Sequence, residues 1–358
     1  MKPRIHSGYL VIADITGFTS FLAETELDHA QVILQQILDR LIGTLTPTLT
    51  LAEVEGDAVF VYGLADRVTR GELIAEVVEA AYGEFRKQQR TMVRNATCPC
   101  RACRQISDLD MKFVVHFGEF VLQEIAGKTG PVGSSVNVVH RLLKNSVTDE
   151  TGWSGYALYS ADALEMMGLP ADGMHASSEV YEHLGPVRTL SMDLQQRYDD
   201  LCERTRVFLE ADDAHAEIIR EFDAPRPVVW DWLNDTDKRT AWMPRSRWIS
   251  DVRPSGRTGP HASNHCATFN AIEYVLDWRP FDYYTIRLTS SGIDVLATIT
   301  LQALGDRTVV RWLMKVEAPM PRFMLSALAG MLARRRMRLE TGFDEMARLM
   351  AEAKPAAP

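Results

Sequence analysis

The sequence predicts an α+β protein built from two successive sheet-containing domains. Three observations carry that expectation. Short apolar runs alternate with helical stretches over roughly the first 190 residues, the pattern of a sheet packed with helices. A polar stretch with helical patterning follows. Beyond it come a strand, a short helix, a meander of strand-like segments and a long final helix, which together describe a curved sheet wrapped on a helix. A chain of 358 residues with 46% hydrophobic residues suits two domains with ordinary cores. The expected boundaries are 1–194, a helical connector at 195–214, and 215–354.

The first element is a strand through Val11-Ile12-Ala13, ending at the carboxylate of Asp14. A small-residue turn at Thr16 and Gly17 leads into a helix expected over about 20–46. The segment 51–62 reads as a hairpin turning at Glu55-Gly56-Asp57, with Asp57 in the turn. A second helix is expected over about 71–94, followed by Cys98-Pro99-Cys100-Arg101-Ala102-Cys103. A strand is expected at 110–121, a Gly-rich loop at 127–133, and a short helix at 135–145. That helix carries Asn137 and Arg141 four residues apart, hence on one face. A helix near 161–167 and one weak closing strand complete the domain. The second domain opens with a strand at 216–222 and a short helix from Pro225. Loops are expected over 242–260, then strands at about 265–270, 272–278, 283–289, 295–303 and 308–316. A long helix then runs from Pro321 to about Ala353.

Composition narrows the function. The net charge of −9 argues against a nucleic-acid partner. No apolar run reaches the length of a membrane span and no signal-peptide core is present, so a cytoplasmic location is expected. Three of the five cysteines cluster within six residues, unlike a secreted disulfide framework. Thiolates at this spacing can bind Zn²⁺, with His116 as a fourth ligand; the other reading is three reduced cysteines in a loop.

Two carboxylates at a strand end and a turn suit two Mg²⁺ or Mn²⁺ ions, and a Gly-containing turn before a helix offers N–H groups to phosphate. The plain alternative is a strand–helix corner with Asp14 as a cap. Asn137 and Arg141 supply a hydrogen-bond donor and a fixed cation for charge on phosphate.

Three ordered stretches then resemble the signatures of class III adenylyl/guanylyl cyclase catalytic domains. They are Ala13-Asp14-Ile15-Thr16-Gly17-Phe18-Thr19, Glu53-x-x-Gly56-Asp57-Ala58, and Gly133-x-x-Val136-Asn137-x-x-x-Arg141-Leu142. His116-Phe117-Gly118-Glu119 resembles the strand motif before the third. The resemblance implies a ferredoxin-like sheet domain and a homodimer in which each site draws on both chains. It assigns the metals to Asp14 and Asp57, with a carbonyl from Ile15, and the phosphate turn to Gly17, Phe18 and Thr19. It gives base selection to Glu53, ribose orientation to Asn137, and the transition-state cation to Arg141. Glu53 points to guanine; its other reading is a solvated strand residue. Two positions depart from the pattern. Gly130 stands at the second base-reading position and has no side chain, and the late lysine has no clear match, Arg188 being the substitute in that region.

The second domain resembles the helix-grip superfamily (START-like, SRPBCC, polyketide-cyclase-like) through its element order and Ala224-Pro225-x-x-Val228-Val229-Trp230-Asp231-Trp232-Leu233. That implies a hydrophobic small molecule in a cavity, for which Trp242, Phe269, Tyr284 and Met324 are the expected lining. Arg334, Arg335, Arg336 and Arg338 read as the solvated face of the last helix. An anionic-membrane or partner patch is the alternative. Two functions follow. One is an enzyme that converts a purine nucleoside triphosphate, GTP or ATP, to a 3′,5′-cyclic nucleotide and pyrophosphate. The other is a catalytically inactive nucleotide-binding or regulatory module coupled to the hydrophobic-ligand domain.

Overall fold

The apolar run 9–13 lies at the centre of a 12-residue strand, β1 (Ile5–Thr16), and all five of its residues are buried. A strand buried on both faces needs neighbours on both edges and cover on both faces. The computed structural model supplies both. It describes residues 4–68, 70–96, 98, 100–125, 127–181, 184–254 and 256–353, and divides into two units, Met1–Arg204 and Thr205–Pro358. Pro99, His183 and the Ala/Pro tail lie outside the described residues.

In the first unit β1 is followed by α1 (Phe18–Glu24), α2 (Leu27–Leu45), β2 (Thr50–Glu55), β3 (Ala58–Leu64), α3 (Glu72–Asn95) and α4 (Arg101–Gln105). Then come β4 (Asp110–Ile125), β5 (Lys128–Val132), α5 (Ser134–Leu142), α6 (Val147–Thr151), β6 (Tyr156–Ser160), α7 (Ala161–Met167), β7 (His175–Tyr181), β8 (Gly185–Asp193) and α8 (Leu194–Glu203). The sheet order is β2-β3-β1-β4-β6-β8-β7, with β5 paired to β4. Its first four strands, with helices after β1 and after β3, form the ferredoxin-like βαββαβ core. Leu10, Ile12, Phe60 and Val114 share one face of that core with Val139 and Leu142 of α5.

Three local expectations are corrected. The helix expected over 20–46 is two, broken at Thr25, whose backbone is extended and whose hydroxyl donates to the Phe21 carbonyl at 2.6 Å, satisfying the end of α1. The Gly-rich loop at 127–133 contains β5, because Gly127, at φ +77°, turns the chain back onto β4. The weak closing strand is a hairpin, β7 with β8, and β6, only five residues long, lies between β4 and β8 without having been anticipated.

The second unit runs β9 (Ala216–Phe222), α9 (Arg226–Asn234), α10 (Thr236–Trp242), β10 (Trp248–Ser250), β11 (Ser263–Cys266), β12 (Ala271–Arg279), β13 (Tyr283–Ser290), β14 (Ile293–Leu304) and β15 (Arg307–Glu317). It ends with α11 (Arg322–Met331) and α12 (Leu339–Ala353), joined through a π-helical turn at Leu332–Arg336. The seven strands form one antiparallel sheet, β10-β11-β12-β13-β14-β15-β9. Phe343 of α12 packs against Phe222, Trp242 and Trp312, so the last helix is held on the sheet by aromatic contacts. The expected single long helix is interrupted at Arg338, which sits at φ +51°. The stretch expected as loops from 242 also begins inside α10 and contains β10. Among the described residues no helix is long and apolar enough to cross a membrane.

A buried ion pair ties α10 to the sheet. Arg239 donates to both carboxylate oxygens of Glu273 at 2.8 and 2.9 Å, and both side chains are 2% exposed. Asn264 donates to Glu273 at 2.7 Å, and the guanidinium lies 3.9 Å from the Trp248 ring centre. Burial alone would raise the Glu273 carboxyl, but the Arg239 charge and its hydrogen bonds hold it below the ordinary range. A depressed carboxylate stabilises the fold above its unfolded pKa, and that stability is lost as pH falls through the folded value. Glu273→Gln leaves Arg239 buried without its counter-charge. It should cost the second unit about 3–5 kcal/mol and flatten its acid sensitivity. Denaturant unfolding followed by tryptophan fluorescence reads this unit, since every tryptophan but Trp153 lies in it. A loss below about 1 kcal/mol would mean the pair contributes no more than an exposed one.

Candidate functional site

The pairing register of β1 builds the acidic part of the site. Asp14 stands opposite Ala58 on β3 and opposite Lys112 on β4. Asp57 is the residue just before Ala58, in the hairpin turn opened by Gly56 at φ +65°. Burial raises the Asp57 pKa, and the Asp14 charge raises it further, so the two carboxylates lie within reach of each other's field. Lys112 opposes this. Its ammonium lies 3.1 Å from Asp14 Oδ2, with both side chains about one-fifth exposed, and donates to the Leu143 carbonyl just beyond α5. Half-buried carboxylates that repel one another are the donor set a hard divalent cation needs. Lys112 was not singled out from the sequence. Its position on β4 is ordinary, and only the register puts it beside Asp14.

The turn after Asp14 is ordered. Gly17 adopts φ +86° at the start of α1, its carbonyl accepting from the Phe21 amide and from Ser20 Oγ. Ile15 and Phe18 are buried, whereas Thr19 is exposed.

On α5, Ser135, Val139 and Leu142 face the sheet, and Asn137 and Arg141 are both exposed on the other side. The seat of α5 depends on Gly118. A Cβ there would come within 2.3 Å of Ser135 Oγ and 2.8 Å of Ser135 Cβ. Glu53 is exposed on β2 opposite Phe60, whose ring contacts His140 of α5. Gly130 lies on β5, and Arg188 is exposed on β8, paired with Ser178. The structure thus brings Asp14 and Asp57 together and presents Glu53, Asn137 and Arg141 to solvent.

His116 is not beside the cysteines. It is buried on β4, its Nδ1 lies 2.8 Å from Ser160 Oγ, and burial lowers its pKa. Another histidine takes the place expected for it. Ligand atoms of His29, Cys98, Cys100 and Cys103 all lie within 4.8 Å of one another. His29 Nδ1 is 3.1 Å from Cys100 Sγ and 3.9 Å from Cys103 Sγ. The Cys103 amide and His29 lower the Cys100 thiol to about 7. Burial, then its neighbouring sulfurs, raise Cys103 to about 11.

In the second unit an open pocket is lined mainly by apolar side chains. Phe269, Leu288, Val295 and Met314 form its walls, Cys266 contributes from β11, and Arg336 stands among the lining residues with its guanidinium over the Phe269 ring. Of the lining expected from sequence only Phe269 is present. Trp242 is packed beneath Gly342 and Phe343, Tyr284 is buried against Trp230, and Met324 is 44% exposed.

Comparison with known proteins gives two family matches. Residues 213–351 match the family described as polyketide cyclase / dehydrase and lipid transport, and residues 34–151 match one described as a protein of unknown function (DUF2652). An uncharacterized Mycobacterium tuberculosis protein, Rv2561/Rv2562, is 30% identical over 115 residues, which are 32% of this chain and 51% of that protein. The chain thus spans about half the length of this curated relative. Among solved structures, the guanylyl cyclase Cya2 is 19% identical, with 53% of this chain and 93% of that chain covered and a TM-score of 0.41. The adenylyl cyclase CyaB from P. aeruginosa is 17% identical, with coverages of 53% and 95% and a TM-score of 0.40.

The raised Asp57 pKa carries a sign. A carboxyl whose folded pKa exceeds its unfolded value costs stability once ionised, and that cost disappears as pH falls below the unfolded pKa. In chelator at neutral pH, Asp57→Asn should therefore raise the melting temperature of the first unit. Mn²⁺ at about 100 times its Kd should stabilise the wild type by about 2.7 kcal/mol and leave the variant unmoved. Equal Mn²⁺ responses in scanning calorimetry would remove Asp57 from the metal site.

Proposed function

We propose that the first unit is a homodimeric purine nucleotide cyclase that converts a nucleoside triphosphate, GTP in preference to ATP, to its 3′,5′-cyclic nucleotide and pyrophosphate. The observation that carries this reading is the Asp14–Asp57 pair at the end of β1, held in one field, on a chain that also presents Asn137 and Arg141 outward from one helix face. Mg²⁺ or Mn²⁺, two per site, held by Asp14, Asp57 and the Ile15 carbonyl, would bind the triphosphate and lower the pKa of the ribose 3′-hydroxyl. The 3′-oxygen attacks the α-phosphorus in line, pyrophosphate leaves, and the hydroxyl proton passes to solvent. Arg141 neutralises charge on the phosphate, Asn137 fixes the ribose, and the Gly17–Thr19 turn cradles the triphosphate. Glu53 accepts from N1–H and the amino group of guanine, where adenine would set acceptor against acceptor.

Exposure supports a dimer. Glu53, Asn137 and Arg141 are open to solvent, and β2 is an edge strand with Leu51 and Val54 exposed at 38% and 42%. An apolar edge of this kind is normally covered. A second copy would cover it and give two equivalent sites. Free thiols and a nucleoside triphosphate substrate suit the cytoplasm.

One observation favours the second reading, a nucleotide-binding regulatory module without turnover. Lys112 already neutralises Asp14. Purified protein with Mn²⁺ and either GTP or ATP, assayed for cyclic product, separates the two. Under the enzyme reading GTP is converted about tenfold or more faster than ATP. Mixing inactive Asp57→Ala with inactive Arg141→Ala chains restores one site per heterodimer. No product from wild type, with nucleotide still bound, would establish the module. A mixture that stays dead beside an active wild type would sink the shared site.

For the second unit we propose a hydrophobic small-molecule site in the pocket behind Phe269 and Leu288. Leu288→Trp fills that space and should weaken binding of a fluorescent fatty-acid probe by more than tenfold without loss of fold. Unchanged probe affinity would place its binding elsewhere.

A further inference from the structure

We propose that His29, Cys98, Cys100 and Cys103 form a closed zinc site that pins the α1–α2 corner to the segment leading into β4. In a tetrahedral Cys₃His site, Zn–S near 2.3 Å and Zn–N near 2.0 Å set neighbouring ligand atoms about 3.5–3.8 Å apart. The His29 Nδ1 distances of 3.1 and 3.9 Å bracket that separation, and the whole set fits within 4.8 Å. The Cys103 amide lies 3.4 Å from Cys100 Sγ, an N–H⋯S contact of the kind that stabilises a metal-bound thiolate. All three cysteines are free, and all four ligands are only partly buried, so a metal can reach them.

The ligands come from two distant parts of the chain. His29 is in the first turn of α2, and the cysteines lie after α3 and in α4, about seventy residues later. Other contacts hold the same junction. Glu26 accepts from the Arg101 and Ala102 amides at 3.3 and 3.2 Å, and Gln105 donates to Glu24 at 3.4 Å. The far end of this segment approaches Gly17, where an added Cβ would lie 3.7 Å from the Asp108 carbonyl. Four protein ligands leave no open position, so the ion is structural. Soft thiolates select Zn²⁺ over Mg²⁺ or Mn²⁺, so this site and the Asp14–Asp57 pair sort different metals.

The test uses the full chain purified under reducing conditions without chelator. Elemental analysis should find about one zinc per chain. After exchange, Co²⁺ should give intense visible bands and the near-ultraviolet thiolate charge-transfer band of a tetrahedral sulfur site. Cys100→Ser and His29→Ala should each weaken Co²⁺ and Zn²⁺ affinity more than tenfold, while Asp57→Asn leaves both unchanged. Cys103→His keeps a ligand, so it should retain zinc even if Cys100→Ser fails to fold. Zinc below a tenth per chain after incubation with the ion would overturn the site. So would a weak octahedral Co²⁺ spectrum, or metal lost in Asp57→Asn but kept in Cys100→Ser.

Discussion

The register of β1 is the constraint on which the first unit depends. The strand pairs with β4 along its whole length, from Ile5 opposite Val121 to Thr16 opposite Asp110, and with β3 along its other edge. A shift of one residue would carry Asp14 to the opposite face, because side chains alternate along a strand. The buried residues on both faces prevent that shift. Leu10 and Ile12 are fixed in the core beneath α5, and Tyr9, Val11 and Ala13 are buried on the other side. The polar end of the strand is therefore positioned by its apolar middle. Lys112 reaches Asp14 as its cross-strand partner on β4, and Asp57 reaches it from the turn beside the Ala58 rung on β3.

The second unit pairs the charges that it buries. Arg239, Glu273 and Asn264 form one buried hydrogen-bonded group, and the charges in it are paired. The pocket has mostly apolar walls, with Arg336 as the cation among its lining residues. A ligand with an apolar body would exchange water for hydrocarbon contacts there.

The fold was legible because local patterns agree with the final structure. The Gly56 turn and the alternation through Val316 specify their elements within a residue or two of where they lie, and the apolar run before Asp14 marks the middle of β1, whose start at Ile5 it does not show. What escaped was set by tertiary pairing. The five residues of β6 are too few to show a period, and β5 is a strand only because Gly127 folds it onto β4. The acidic residues stood out because two carboxylates beside tight turns form a chemical pattern in one dimension. Lys112 and His29 form no such pattern. One is a lysine on a strand and the other a histidine in a helix, and each acquires its neighbours through contacts with distant segments. The cysteines were visible as a cluster, but their nearest imidazole belongs to α2, whereas His116, closer in sequence, points to Ser160.

Gly118 carries a consequence for how such a protein can vary. Asn137 and Arg141 lie on the exposed face of α5, where side chains can be exchanged without disturbing the core. The helix that carries them rests on β4 at the one rung where the strand has no side chain, with Ser135 filling the vacated volume. Chemistry and placement are thus specified by different residues. A lineage could rewrite the polar groups on the helix freely and keep them aimed, yet a single methyl group on the strand beneath would displace the whole set together.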